Sequence, residues 1–130
     1  MAIVPEGVRA LSFTRHVPGS DDLPGQRATF ARVCDVQGWT RGVPVCQVGS
    51  GMRAWASVVR LVRAGAGDLV IVDSVDRIAG SDAGRAAVLR LLARAGVRLV
   101  IAGEGIDTGD PIGAALLAAW AGGACVAVAR

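Results

Sequence analysis

The chain is predicted to fold as an α/β domain, a three-layer open, mostly parallel sheet of about four strands with helices on both faces. Three observations predict this. Leu69-Val70-Ile71-Val72 is a continuous apolar run of strand length, as a central parallel strand buried on both faces requires. Short apolar segments alternate along the chain with longer stretches of helical periodicity, two of which stop at a glycine, Gly38 and Gly96. Polar residues follow the apolar strands directly, at Arg15 to Val17, at Asp73 to Arg77 and at Glu104. Open α/β sheets gather their functional groups at such strand ends.

Each element has its own signal. Val8 to Arg15 alternates and ends in polar residues, so it reads as the first strand. Val17 to Gly25 holds Pro18, Gly19, Ser20, Asp21, Asp22 and Pro24 and reads as a loop. Gln26 to Gln37 carries Phe30, Val33 and Cys34 near helical spacing, and Gly38 ends that helix. Val43 to Val48 is a short second strand, followed by the flexible joint Gly49-Ser50-Gly51. Met52 to Ala64 places Trp55, Val58, Val59 and Val62 on one helical face, with Arg53, Arg60 and Arg63 opposite. Leu69 to Val72 is the third strand. Ser81-Asp82 offers an N-cap for a helix over Ala83 to Ala95 that buries Val88, Leu91 and Leu92. Val97 to Ala102 is the fourth strand, and Gly103 to Asp110 a loop. Pro111 stands where a helix commonly starts, and Ile112 to Ala121 continues it. Two consecutive glycines cost about 2 kcal/mol in a helix interior. The tail after Gly122-Gly123 is therefore expected to break from the helix, and Ala124 to Val128 to form an extra edge strand or to continue the helix beyond a kink.

Residues 1–130 read as a single domain, long enough to bury a core without staples. The apolar stretch Ala114 to Val128 is short for a membrane span and is interrupted by glycines, and Glu6 and Arg9 break any N-terminal signal region. The expectation is a cytoplasmic protein without membrane contact. The net charge of +3 arises from 14 arginines, no lysine and 11 acidic residues. Lys, Asn and Tyr are all absent, which a GC-rich genome explains. The charges are interspersed, so no polybasic arm declares itself. Cys34, Cys46 and Cys125 form no CxxC pair and have one histidine for company, so they read as buried, inert thiols rather than zinc ligands. There is no GxxxxGK[ST], no lysine to serve one, and no third glycine beyond Gly49-x-Gly51. No cofactor is expected.

Two segments carry a resemblance. One is Phe13-Thr14-Arg15-His16-Val17, with Gln26 nine residues later; the other runs from Gly67-Asp68 through the apolar strand to Asp76-Arg77. Together they resemble the N-terminal catalytic domain of serine recombinases, the resolvase/invertase family. That family has an aromatic-x-Arg-x-Ser motif at the end of its first strand, then a glutamine, and later a hydrophobic-Asp-Arg motif. The resemblance spans roughly residues 8 to 120. It implies that Arg15 matches the arginine beside the nucleophile, Gln26 the glutamine, and Asp76 and Arg77 the Asp-Arg motif. Arg53 resembles the arginine that opens the next helix. Gly105-Ile106-Asp107-Thr108 resembles the loop before the family's long helix. On this reading Arg15, Arg53 and Arg77 would contact DNA phosphate, because a planar guanidinium meets two phosphate oxygens at once.

The departures define the functional expectation. Val17 stands at the position of the nucleophilic serine and has no hydroxyl with which to attack a phosphodiester. Gly80 stands where the family has a further arginine, and Gly122-Gly123 where its long helix carries a Glu-Arg pair. The DNA-binding domain that follows in the family is not expected in this chain. The resemblance therefore implies a catalytically inactive recombinase-like domain, a DNA-associated or protein-binding regulatory module. It would contact DNA weakly or a protein partner, or pair with a second copy through a seam at Trp120.

Other readings stay open. Ser20 could serve as a different nucleophile in an active recombinase, at the cost of the joint match of Phe13, Arg15 and Gln26. The strand ends could carry reassigned chemistry through Asp73, Asp76, Glu104 and His16, although His16 reads better as a hydrogen-bonded or surface histidine. A decaying remnant without a role is the third.

Overall fold

The structure is a computed structural model that describes residues 7–19 and 22–122. Its elements are β1 (Arg9–His16), α1 (Leu23–Gln37), β2 (Thr40–Val48), α2 (Arg53–Arg63), β3 (Leu69–Val72), a 3₁₀ turn over Val75–Arg77, α3 (Asp82–Ala95), β4 (Arg98–Ile101), β5 (Ile106–Asp107) and α4 (Pro111–Ala121). They form one five-stranded sheet in the order β2-β1-β3-β4-β5. The first four strands run parallel, and β5 pairs antiparallel with β4, Ile101 facing Ile106.

The alternation of side chains along the strands sorts the core into two layers. Leu11 and Phe13 of β1, Val70 and Val72 of β3, and Leu99 and Ile101 of β4 face α2, α3 and α4, where they meet Trp55, Val58, Val88, Leu92 and Leu117. Ala10, Leu69, Ile71 and Val100 face the other way and are covered by α1 through Cys34, Phe30 and Val33. The sheet is thus sandwiched, with one helix on one side and three on the other. Trp55 is fully buried, stacks on Phe13 with ring centroids 3.8 Å apart, and donates from Nε1 to the Ile78 carbonyl at 2.7 Å.

Local chemistry sets the element ends. Gly38 and Gly96 adopt the left-handed conformation that closes α1 and α3. Ser81 caps α3 by accepting from Gly84 N, and Asp110 caps α4 by accepting from Ile112 N. The Gly67-Asp68 pair has a packing reason. A Cβ at Gly67 would come within 2.6 Å of Leu11, and Asp68 pairs with the Arg9 backbone at both its own N–H and its carboxylate.

Five expectations need correction. Leu91 is 40% exposed, because α3 turns Val88, Leu89 and Leu92 to the core instead. Strand β2 begins at Thr40 rather than Val43, since Thr40 and Arg41 already pair with Arg9 and Ala10 of β1. Helix α1 begins at Leu23 rather than Gln26, because Pro24 sits in its first turn, where a missing N–H costs nothing. The stretch expected as a loop before α4 contains β5. Asp107 makes a bidentate bond to Arg98, 2.9 Å to Nε and 2.7 Å to Nη2, and Thr108 Oγ1 accepts from Leu99 N at 2.8 Å, so this strap is pinned to β4. The Arg98 bond holds the Asp107 carboxyl below its ordinary range against an opposing burial effect, and the same bond raises Arg98. Cys34 is buried, and burial pushes its thiol up, but Cys46 is exposed because β2 is an edge strand. Ser20, Cys125 and the tail after Gly122 lie outside the described residues. Among the described residues no helix is long and apolar enough to cross a membrane.

Candidate functional site

The carboxyl ends of β1, β2 and β3 bring together most of the residues singled out from the sequence. Arg15 is the penultimate residue of β1, and the strand alternation places its side chain on the same face as Phe13. It is 3% exposed, with its guanidinium carbon 5.6 Å from the Phe13 ring centre. Its donors are spent on backbone carbonyls of two neighbouring loops. Nε donates to Arg77 O at 2.9 Å and Nη2 to Ile78 O at 2.9 Å. Nη1 donates to Gly49 O at 2.8 Å and to Gly51 O at 2.7 Å. A guanidinium has five N–H donors, so four are engaged. The charge is balanced by carbonyl dipoles rather than by a carboxylate. Burial lowers the Arg15 pKa, and the positive charge of Arg77 lowers it further.

Gln26, in the first turns of α1, is buried and reads the Arg15 backbone. Its Oε1 accepts from Arg15 N, and its Nε2 donates to Arg15 O, both at 2.8 Å. The glutamine thus fixes the last residues of β1, while Arg15 fixes the loops after β2 and β3. Val17, directly beyond β1, is 41% exposed.

Arg77 ends the 3₁₀ turn and behaves differently from Arg15. Its Nη2 is ion-paired with Asp22, and its Nε is buried without a partner among the described residues. Arg53 is exposed in the first turn of α2. A cation there is not favoured by the helix dipole, so the position leaves Arg53 free of a helix-stabilising role. Asp76 is exposed. Glu104, from the turn after β4, accepts from Val75 N at 3.0 Å and so braces the start of the 3₁₀ turn. Asp73 contributes its carbonyl to Gly103 N, and the half-buried His16 its carbonyl to Gly49 N. Among the described residues no group of three or more His, Cys, Asp or Glu side chains is placed to hold a metal ion.

Sequence reasoning overlooked two members of this edge. Asp22 lies in the stretch Val17 to Gly25 that reads as a loop, and only the fold shows that it faces Arg77. Gln47 Oε1 accepts from Ala54 N at 2.8 Å, which caps α2 in place of Met52, a residue without a capping group. Beside the Gly49 to Gly51 joint opens a cleft of about 300 Å³ lined by Ser50, Met52, Ala79, Gly80, Ser81 and Gly84.

Four parallel strands in the order β2-β1-β3-β4 thus place an arginine, a glutamine and an Asp-Arg turn together at one edge of the sheet. The N-terminal catalytic domain of the TP901-1 integrase superposes with a TM-score of 0.75 at 18% identity, over 88% of this chain and 92% of that one. A resolvase family site-specific recombinase from Streptococcus pneumoniae superposes with a TM-score of 0.70 at 18% identity, over 86% and 84%. The C-terminal catalytic domain of ISC1926 TnpA, an IS607-like serine recombinase, gives 0.61 at 19% identity, over 72% and 69%. No curated protein sequence matches the chain. The model of the resolvase N-terminal domain family matches residues 10–127, and the chain belongs to that family.

Proposed function

We propose that this chain is a recombinase-family domain that does not cleave DNA and acts as a DNA-associated or protein-binding regulatory module. The observation that carries the reading is Val17. It occupies the position that the motif assigns to the nucleophilic serine, one residue past the end of β1 and two past Arg15, with its side chain exposed. A covalent phosphoserine step needs a hydroxyl at that point, and valine offers only methyl groups.

The arrangement of the arginines supports the same reading. Stabilising a phosphoryl transition state requires guanidinium donors free to meet the oxygens. Arg15 has four donors on carbonyls, which leaves Arg77 and the exposed Arg53 as the groups for a phosphate. Contact through so few groups implies weak, salt-sensitive association. Helix α4 adds a surface for a protein partner or a second copy, since Ile112 is 72% and Leu116 46% exposed on an otherwise uncharged helix.

The test is a titration of labelled duplex DNA at several salt concentrations, followed by denaturing electrophoresis for a covalent adduct. The expected result is binding that weakens with salt, with a logarithmic slope of about −1 to −2, and no adduct. An adduct would overturn the reading. An adduct abolished by Ser20→Ala would establish the alternative, recombination through the hydroxyl of the loop between β1 and α1. Absence of binding at low salt would leave the protein-binding form of the proposal.

A further inference from the structure

We infer that Asp22 serves as an internal counter-anion for Arg77, holding the guanidinium that this edge presents to solvent and thereby opposing phosphate binding there. The inference deepens the proposed function and rests on its reading that Arg77 is the group a phosphate partner would meet.

The two arginines at the site divide their labour. Arg15 is buried, with four of its five N–H donors on carbonyls. Arg77 has its Nε buried without a partner among the described residues, and its Nη2 meets the Asp22 carboxylate. A guanidinium fork takes a carboxylate and a phosphate by the same planar geometry, so the two anions compete for one group. Asp22 also repels an incoming phosphate by its own charge.

Asp22 is placed for this work rather than for stabilising α1. It occupies the N-cap position, where an aspartate commonly accepts from a helix N–H. Ser81 and Asp110 do so at α3 and α4, but the Asp22 side chain makes no such bond. Its carboxylate turns to Arg77. Its backbone stays anchored independently, since Asp22 O accepts from Gln26 N at 3.1 Å and Gln26 is clamped to Arg15. The side chain can therefore leave Arg77 without unravelling the helix start. Solvent reaches the pair, with side-chain exposures of 23% for Arg77 and 38% for Asp22. Such pairs are weak enough to open, which a displaceable contact requires.

The experiment separates this inference from the reading beneath it. Inorganic phosphate is titrated into ¹⁵N-labelled protein, and the backbone signals of residues 76 to 78 are followed for the parent chain, Asp22→Asn, Asp22→Ser and Arg77→Ala. Asparagine and serine are both good N-caps, so at least one variant is expected to retain the parent melting temperature. The expected result is an apparent affinity about 5-fold tighter in the Asp22 variants, lost when Arg77→Ala is added. Unchanged affinity in a folded Asp22 variant overturns the inference, as does a gain that persists in the Arg77→Ala background. If the Asp22 variants gain phosphate affinity while no variant binds duplex DNA at low salt, the counter-anion stands and the DNA-associated reading falls.

Discussion

Gln26 holds the Arg15 backbone at both of its polar groups, accepting from the N–H and donating to the carbonyl at 2.8 Å each. The pair lies eleven residues apart and joins the end of β1 to the start of α1. Because Gln26 is 2% exposed, removing its amide would strand two backbone groups away from water. An unsatisfied buried group costs about 1–3 kcal/mol. Gln26→Ala is expected to lose about 3 kcal/mol of stability, and a urea titration of both proteins checks it. A loss below about 1 kcal/mol would mean that water reaches these groups and that the clamp is not structural.

Arg15 extends the same clamp to two further segments. Its guanidinium ties the carbonyls of Gly49, Gly51, Arg77 and Ile78 to the end of β1, so it positions the edge rather than facing a ligand. Lysine brings one ammonium with three donors and lacks the planar fork. Arg15→Lys is expected to destabilise the fold by about 3 kcal/mol. It should also loosen the Gly49 to Gly51 and Arg77 to Ile78 loops, seen as faster amide hydrogen exchange there. A variant that keeps parent stability and loses only DNA affinity would instead place Arg15 in direct phosphate contact.

The elements and the site differ in how far they could be read from the chain. The run Leu69 to Val72, the Ser81 cap and the Gly96 stop correspond to local physics, and β3 and α3 fall within a residue of their expected places. The pairing of Arg15 with Gln26 was legible as spacing, through the family motif, but its meaning was not. The motif marks the positions, whereas burial and the four carbonyls emerge only when β2, β3 and their loops close around the guanidinium. Strand β5 is two residues long and has no periodicity to detect, so its existence depends on Arg98 reaching Asp107 across the sheet edge. The exposure of Cys46 depends on β2 being the outermost strand, which is set by strand order and not by the sequence of β2 itself. Asp22 gave no signal because its partner lies 55 residues away in the chain.

The Arg98–Asp107 pair makes a pH-dependent contribution whose sign follows from the carboxyl. The Asp107 pKa lies below its ordinary value in the folded state, first through the Arg98 bond. The stabilisation is therefore fully present above the ordinary carboxylate range near 4 and is lost as pH falls through the lowered folded value. Both side chains are about one-third exposed, so solvent screening limits the effect. Asp107→Asn is expected to cost about 1 kcal/mol at pH 7, and the difference from the parent should shrink as the pH is taken from 7 to well below the ordinary carboxylate range. Urea midpoints at the two pH values measure this, and a difference that persists in acid would assign the cost to packing of the strap instead of to charge.

On the proposed reading, Val17→Ser places a hydroxyl at the nucleophile position of the recombinase motif, one residue past the end of β1. Since Val17 is 41% exposed, the substitution should change stability by no more than about 0.5 kcal/mol. Folding therefore does not limit the experiment, and the chemistry alone decides it. A nucleophile without transition-state donors gains little. Arg15 remains engaged by carbonyls, Arg77 remains paired with Asp22, and Gly80 supplies no guanidinium where the family has an arginine. The expected outcome is no covalent adduct with supercoiled plasmid and no recombination. Gly80→Arg can be added as a second step, since a Cβ at Gly80 meets only Ser50, at the ordinary contact distance of 3.9 Å. An adduct formed by Val17→Ser alone would show that the surrounding groups are still competent, and that valine is the single change separating this chain from a working recombinase.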